Sequence, residues 1–241
     1  MRQRLTYISA GMAFGATHAE GIFVTGLSPN ILAPRVSAIR AKAAEVGRDP
    51  QSVKIFATIT PIIGRTHEEA ESKYEEALKF ASAEGGLVFW SGNAGIDLDK
   101  FDFDKEITEE DAKSDFRVQS LVSNLSYRGD DVPLWTPRNI GKAVSLGGTG
   151  PVVVGTATEV ADQFERWMQV ADIDGFNVGY VTTPGTFEDV VELLVPELRR
   201  RGIYAPKGES GTMRERIYGL GQSMLKDDHP GSQYKYEVYK S

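Results

Sequence analysis

The chain contains no cysteine, which excludes disulfides, thiolate nucleophiles and cysteine-bound metal from its chemistry. No run approaches the roughly 18 consecutive apolar residues that cross a bilayer. The 3 histidines lack the spacing of metal ligands. No serine sits in a Gly-x-Ser-x-Gly setting, so the nucleophile signature of α/β hydrolases is missing. Positive charge is in deficit: 27 Lys and Arg stand against 34 Asp and Glu, a net charge of −7. That balance argues against attraction to nucleic acid or to an anionic membrane. A reducing, cytoplasmic setting is expected. The opening stretch MRQRLTYISAGMAFGATHA carries arginines and no acid before Glu20, as targeting peptides do. Gly11 and Gly15 weaken its helix, and it runs directly into patterned sequence, so it is read as part of the folded chain.

What is present is ordinary globular sequence, 241 residues long, 41% hydrophobic and 25% charged, enough for one substantial domain. Residues 53–63 are rich in Ile, Thr and Val and almost free of charge, as expected of a strand buried on both faces. Thr66-His67-Glu68-Glu69 then matches the capping box, in which the Thr66 hydroxyl accepts the Glu69 N–H and the Glu69 carboxylate reaches back to the N-cap N–H. Ala70, Tyr74, Ala77, Leu78 and Ala81 follow on one helical face.

The same grammar recurs over 174–202. The pattern predicts a strand at 176–182, a Pro184-Gly185 turn, a cap at Thr186, a helix that Pro196 kinks or divides, and a stop at Gly202. Upstream, 21–25 reads as a short strand and 33–46 as a helix stopped by Gly47. Thr156-Ala157-Thr158-Glu159 is a further capping box, opening a helix to about Val170.

Buried strands alternating with amphipathic helices indicate an α/β fold with parallel pairing. A doubly wound sheet and a (β/α) barrel both fit, but only three or four units are visible, too few for a closed barrel of eight. Between 84 and 150 the pattern changes to a long insertion of the kind that shapes binding sites. Its first part, GGLVFWSGNAGIDLDKFDFDKEITEEDAK, has weak strand logic, and helices are expected near 113–125 and 137–145. The polar segment 205–241 has too few aliphatic residues for a core and is expected to wrap the surface or a neighbouring subunit.

Few residues suggest chemistry. His67 lies in a helix start, His18 closes the first helix, and His229 is expected in solvent. Asp97, Asp99, Asp102 and Asp104 lack the glycine and glutamate register of an EF-hand and read as a solvated loop. Phe89, Trp90, Phe101 and Phe103 fit either an apolar pocket or a core. SLGGTGPVVVG, 145–155, lacks the P-loop lysine and precedes its strand, whereas a phosphate loop follows one. The better anion candidate is Ile8-Ser9-Ala10-Gly11, at a strand-to-helix junction where N–H groups point outward.

Four segments in order, HAEGIFV, AAEVGRDPQSVKIFATITPIIGRTHEEAESKYEE, VVVGTATEVADQFERW and DGFNVGYVTTPGTFEDVVELLVPELRRRG, resemble the bacterial-luciferase-like flavin monooxygenases. The branch is that of the nitrilotriacetate and dibenzothiophene-sulfone monooxygenases, and the resemblance covers most of residues 10–204. It implies a partial (β/α)8 TIM-type barrel made of the carboxyl-terminal βα units, with 174–202 as the last strand and helix. It implies a two-component system in which a flavin reductase supplies reduced FMN and O2 is used to oxygenate a small-molecule substrate. The family's phosphate loop ends in two serines, and counting back from His18 places them on Tyr7 and Ile8, with Ser9, Ala10 and Gly11 just beyond. Ser9, Ala10 and Gly11 are therefore the cofactor-binding candidates, and no catalytic acid or base is named. Because only half of the family's length is present, the chain is expected to start within the full barrel. The rival readings are a non-catalytic half-barrel that works by partner or self-association, and a phosphate-binding aldolase or isomerase. The second lacks a strand-end lysine for Schiff-base chemistry.

Overall fold

A computed structural model describes residues 10–95, 97–108, 110–111, 125, 127–205 and 210–234. Its centre is β2 (Lys54–Gly64), which pairs in parallel with three shorter strands: β1 (Gly21–Val24), β3 (Val152–Thr156) and β4 (Gly175–Val178). Peptide groups alternate sides along a strand. Lys54 N–H donates to Glu20 and Thr60 N–H to Pro151, so β1 and β3 lie end to end along one edge of β2. Ile59 C=O accepts from Gly179, which puts β4 on the other edge. Pro61, which has no N–H, falls in the register facing away from β3, so no hydrogen bond between β2 and β3 is lost.

The helices cover one face of this sheet. Ile55, Ala57 and Ile59 are wholly buried. Ile55 and Ala57 pack with Val36 and Ile39 of α2 (Pro29–Glu45) and with Trp167 of α6 (Ala157–Ala171). Ile59 meets Val160 and Phe164 of α6 and Leu194 and Leu198 beyond it. Burial of side chains of this size contributes roughly 1.5–3 kcal/mol each, which fixes the helical layer on the sheet. α1 (Ala10–His18) precedes β1 and packs against the same cluster through Ala16.

Several expectations are adjusted. α2 begins four residues early because Ser28 caps it, accepting the Asn30 N–H, and Pro29 suits the first helical turn. At α3 (His67–Leu78) Thr66 accepts the Glu69 N–H as expected, but the Glu69 carboxylate reaches Arg65 N–H, one residue beyond the cap. The capping box at Thr156 is complete. β4 is shorter than 176–182, and Thr186 is no cap: its hydroxyl accepts the N–H groups of Val181 and Thr182, tying the turn rather than the helix. The helix α7, 185–200, passes through a π-helical turn at Val190–Leu194 just before Pro196. The widened turn accommodates a residue with no N–H to donate.

In the insertion, the first part of the stretch with weak strand logic belongs to a helix, α4 (Ala83–Ala94), capped by Ser82. It crosses α5 (Pro137–Ser145) where two glycines meet: a Cβ on Gly86 would lie 2.1 Å from the Gly141 carbonyl oxygen. Around this crossing Trp90, Leu98, Ile107, Trp135 and Ile140 form a second core. The helix expected at 113–125 lies outside the described residues except for Leu125. The acidic loop caps itself: Asp97 accepts Asp99 N–H, Asp102 accepts Asp104 N–H, and Asp104 pairs with Arg138.

The carboxyl-terminal segment is anchored where the strands begin. Arg214, on α8 (Met213–Tyr218), pairs with Glu20, and the Tyr218 hydroxyl donates to the Glu20 carbonyl at 2.7 Å. His229, expected in solvent, instead has Nε2 2.9 Å from the His18 carbonyl oxygen, while Nδ1 accepts Gly231 N–H. Among the described residues no helix is long and apolar enough to cross a membrane.

Candidate functional site

The sheet face away from the helices is the candidate site. β2 was expected to be buried on both faces, but only its helix-facing positions follow that rule throughout. The alternate residues Phe56 and Thr58 are half-buried and face the other way. Phe23 of β1 is aligned with Phe56 in register, and their ring centroids are 5.8 Å apart. Gly175 and Asn177 of β4 align with Phe56 and Thr58. Phe23, on the edge strand β1, is 69% exposed. A Cβ on Gly175 would stand 3.1 Å from the Phe56 ring, so the glycine makes room for that ring to lie against the sheet.

The glycine-rich loop before β3 roofs one end of this face. Gly147 and Gly148 adopt left-handed backbone at φ 71° and 73°. The Thr60 hydroxyl points to the Gly147 carbonyl at 3.4 Å, and a Cβ on Gly150 would lie 2.7 Å from the Thr58 carbonyl oxygen. The glycines thus permit close approach of loop to strand. Aromatic rings, Thr58 and Asn177 are neutral positions on this face. At the starting end of β2, Phe56 shares a hollow with Lys54, Glu20, Arg214 and Tyr218; Lys54 is held by Asp174 at 2.9 Å, and Arg214 pairs with Glu20. The aromatic pair suits a flat ring, and the charged groups beside it are already paired with one another.

Of the cofactor-binding candidates, Ser9 lies outside the described residues, and Ala10 is exposed at the first turn of α1 beside Gly11. Only Ala19 and Glu20 separate α1 from β1, so α1 runs back against the strand. Its start therefore lies toward the end where the strands finish, the end at which barrel enzymes place their sites. Phe89 and Trp90 do not line the inner face: Trp90 is wholly buried in the insertion core and Phe89 faces solvent. Phe101 and Phe103 pack against that same core. Phe23, Phe56, Thr58 and Asn177 were passed over in the sequence, because their side of the sheet is set by strand register rather than by a local pattern.

A second hollow of about 520 Å³ lies between α3 and α7, lined in part by Pro61, Ile62, Phe80 and Val181. Its lysine is already engaged. Lys73 donates to the Ile63 carbonyl at 2.8 Å and to Asp189 at 2.7 Å, and pairs with Glu69 at 3.1 Å. Burial opposes its charge, but the two carboxylates outweigh burial and raise its pKa.

The insertion is fastened to the sheet's helices by Asp131. Its carboxylate accepts from Ser28 at 2.5 Å, Asn30 at 2.8 Å and Arg166 at 3.0 Å. Burial pushes this acid upward, yet those donors and Tyr127 prevail and hold it at about 2.

The family model described as luciferase-like monooxygenase matches residues 7–174. The chain is 36% identical over 225 residues to dimethyl-sulfide monooxygenase of Hyphomicrobium sulfonivorans, covering 93% of this chain and 46% of the relative. Long-chain alkane monooxygenase of Geobacillus thermodenitrificans is equally similar, at 36% over 225 residues, with the same 93% and 46% coverage. Among solved structures, DmoA from Hyphomicrobium sulfonivorans superposes with a TM-score of 0.77 at 35% identity, covering 93% of this chain and 47% of that one. Riboflavin lyase RcaE, solved with modified FMN and riboflavin, gives 0.75 at 34% identity, with coverage of 93% and 48%. Nitrilotriacetate and dibenzothiophene-sulfone monooxygenases are also among the relatives. The chain spans about half the length of the curated relatives it matches. With 168 of its 241 residues inside the matched model, the chain belongs to the luciferase-like monooxygenase family.

Proposed function

We propose that this chain forms the carboxyl-terminal part of a (β/α)8 TIM-type barrel in a two-component flavin-dependent monooxygenase. A flavin reductase supplies reduced FMN, and O2 is used to oxygenate a small organic substrate. In this reading residues 1–204 form the barrel portion, with the insertion at about 84–150, and 205–241 form the tail. The observation that carries the reading is the aromatic pair on the inner face, Phe56 half-buried and Phe23 open beside it.

The residues fit one wall of a flavin site. Phe23 and Phe56 offer apolar contact to a ring, and Thr58 and Asn177 offer neutral hydrogen-bonding groups to its polar edge. Ser9, Ala10 and Gly11 would meet the phosphate, where free N–H groups of a helix start favour an anion. When bound, reduced FMN would supply two electrons which, with two protons, allow one oxygen atom of O2 to enter the substrate and the other to leave as water. The chain's own part is to bind, orient and keep water away, for which the apolar rings are suited.

The test is an anaerobic titration of the purified chain with reduced FMN, repeated with Phe56→Ala and Asn177→Leu. Saturable binding weakened about tenfold or more in both variants is expected. Absence of binding, or affinity unchanged by both substitutions, would refute the reading.

A further inference from the structure

The carboxyl-terminal tail grips one short segment, His18-Ala19-Glu20, at three points. Arg214 donates to both carboxylate oxygens of Glu20, the Tyr218 hydroxyl donates to the Glu20 carbonyl, and His229 Nε2 lies against the His18 carbonyl. Two further ties reach the segment before β2: Lys226 pairs with Asp49 at 3.7 Å, and Asp228 accepts the Asp49 N–H at 3.0 Å. Lys54 and Lys226 each hold an ammonium 5.9 Å from the centre of the Tyr218 ring. Burial, with the Glu20 charge, pushes the Tyr218 phenol up to about 12, so it keeps its proton and can donate at neutral pH. All of these ties lie where β1 and β2 begin.

α8 carries two pairs of residues one turn apart. Arg214 and Tyr218 fasten the helix, whereas Met213 and Ile217, displaced by one position, share a hollow of about 300 Å³ with Gly21 and Phe56. No residue of α8 is buried, and Met213 is 78% exposed. Polar ties rather than packing therefore hold the helix, and they hold two apolar side chains at the open end of the inner face. A helix that only covered the outside would turn such a pair against the body of the protein.

We propose that the tail is the floor of the chamber over the inner face: docked on His18-Ala19-Glu20, α8 closes the starting end, and Met213 and Ile217 are lining residues there. The inference rests on the flavin-monooxygenase reading, to which it adds the direction of entry. With the starting end closed, the finishing end, where α1 starts, is the mouth for reduced flavin and substrate. Closure at one end also serves the exclusion of water.

The experiment uses the full chain without flavin, with isotope-labelled Ile and Met methyl groups. Nuclear Overhauser effects are expected from the Ile217 and Met213 methyls to Gly21 and Phe56. Arg214→Glu should weaken them about fivefold, and a soluble gadolinium chelate should then relax the Phe56 ring protons about threefold faster, with the circular dichroism unchanged. Adding Glu20→Arg restores the pair with its charges exchanged and should recover both readouts, which a general loss of structure would not. If Arg214→Glu does not fold, Tyr218→Phe removes a single donor to the Glu20 carbonyl and should give about twofold effects of the same sign. Overhauser effects that are absent, that arise only between differently labelled copies, or that survive Arg214→Glu would each overturn the proposal. So would unchanged access of the chelate, or no recovery in the charge-exchanged chain. The two readings fail separately: with the floor contacts present and no binding of reduced FMN, the flavin reading falls, and with FMN bound and those contacts absent, the floor alone falls.

Discussion

Replacing Asp131 by Asn should loosen the insertion by an amount that depends on pH in a defined way. The folded carboxylate sits at about 2 against an ordinary 3.8, because Ser28, Arg166, Asn30 and Tyr127 together overcome the opposing effect of burial. The side chain is only 22% exposed, so solvent screening removes little of this. A depression of this size corresponds to roughly 2.5 kcal/mol. A folded pKa below the unfolded value places that stability above the unfolded pKa. It is then lost as pH falls from about 4 through 2. Trp90 and Trp135 lie in the insertion core and Trp167 in the main core, so urea unfolding followed by tryptophan fluorescence reports on both. Asp131→Asn should be about 2 kcal/mol less stable than the parent at pH 7, and the two should converge near pH 2. Equal stabilities at pH 7, or a gap that persists unchanged at low pH, would refute the reasoning.

Other expectations concern packing and charge elsewhere. Gly86→Ala drives a methyl group into the Gly141 carbonyl and should cost about 1–3 kcal/mol in urea unfolding, whereas Gly85→Ala, on the exposed side of α4, should be neutral or slightly stabilising. Arg48 is buried and donates to the carbonyls of Ala16, Thr17 and Ala19 at the end of α1. Arg48→Met should strand these acceptors and lower stability by about 3 kcal/mol, read as a fall in Tm. A hydrogen bond and charge from Glu159 raise the pKa of His67. The associated stabilisation is present below the ordinary histidine pKa and is lost as pH rises through the raised value. Glu159→Gln should move the NMR titration of His67 to lower pH; an unchanged midpoint would show that Glu159 is not the cause.

The elements most legible in the sequence were those whose signals are local. Thr156 and Glu159 sit three residues apart before an apolar face, and the capping box they announce is present. The run from Val53 to Ile63 announced β2 for the same reason. What was missed depends on contacts distant in sequence. The glycines of α4 argue against a helix until α5 is seen pressing on Gly86. Thr186 reads as a cap until the Val181 and Thr182 N–H groups are seen to claim its hydroxyl. His229 reads as solvated until the carbonyl of His18, 211 positions away, is found beside it. The inner face was hidden for a different reason: Phe56 and Thr58 look like core residues in an apolar run, and only strand register shows which side they occupy. The family membership came from the four segments taken together, whereas the proposed phosphate contacts of Ser9, Ala10 and Gly11 rest on counting back from His18.

This sheet is proposed to form part of a site where flavin-activated oxygen meets a small organic molecule. That role is tested most directly by isotope labelling with 18O2, a flavin reductase, FMN and the chain combined with the complementary half-barrel, offered sulfide, alkane and aminopolycarboxylate substrates. One labelled oxygen atom per product molecule is predicted for at least one substrate, and the product should be lost with Phe56→Ala. Product formation that is independent of the chain, or unlabelled product throughout, would contradict the claim.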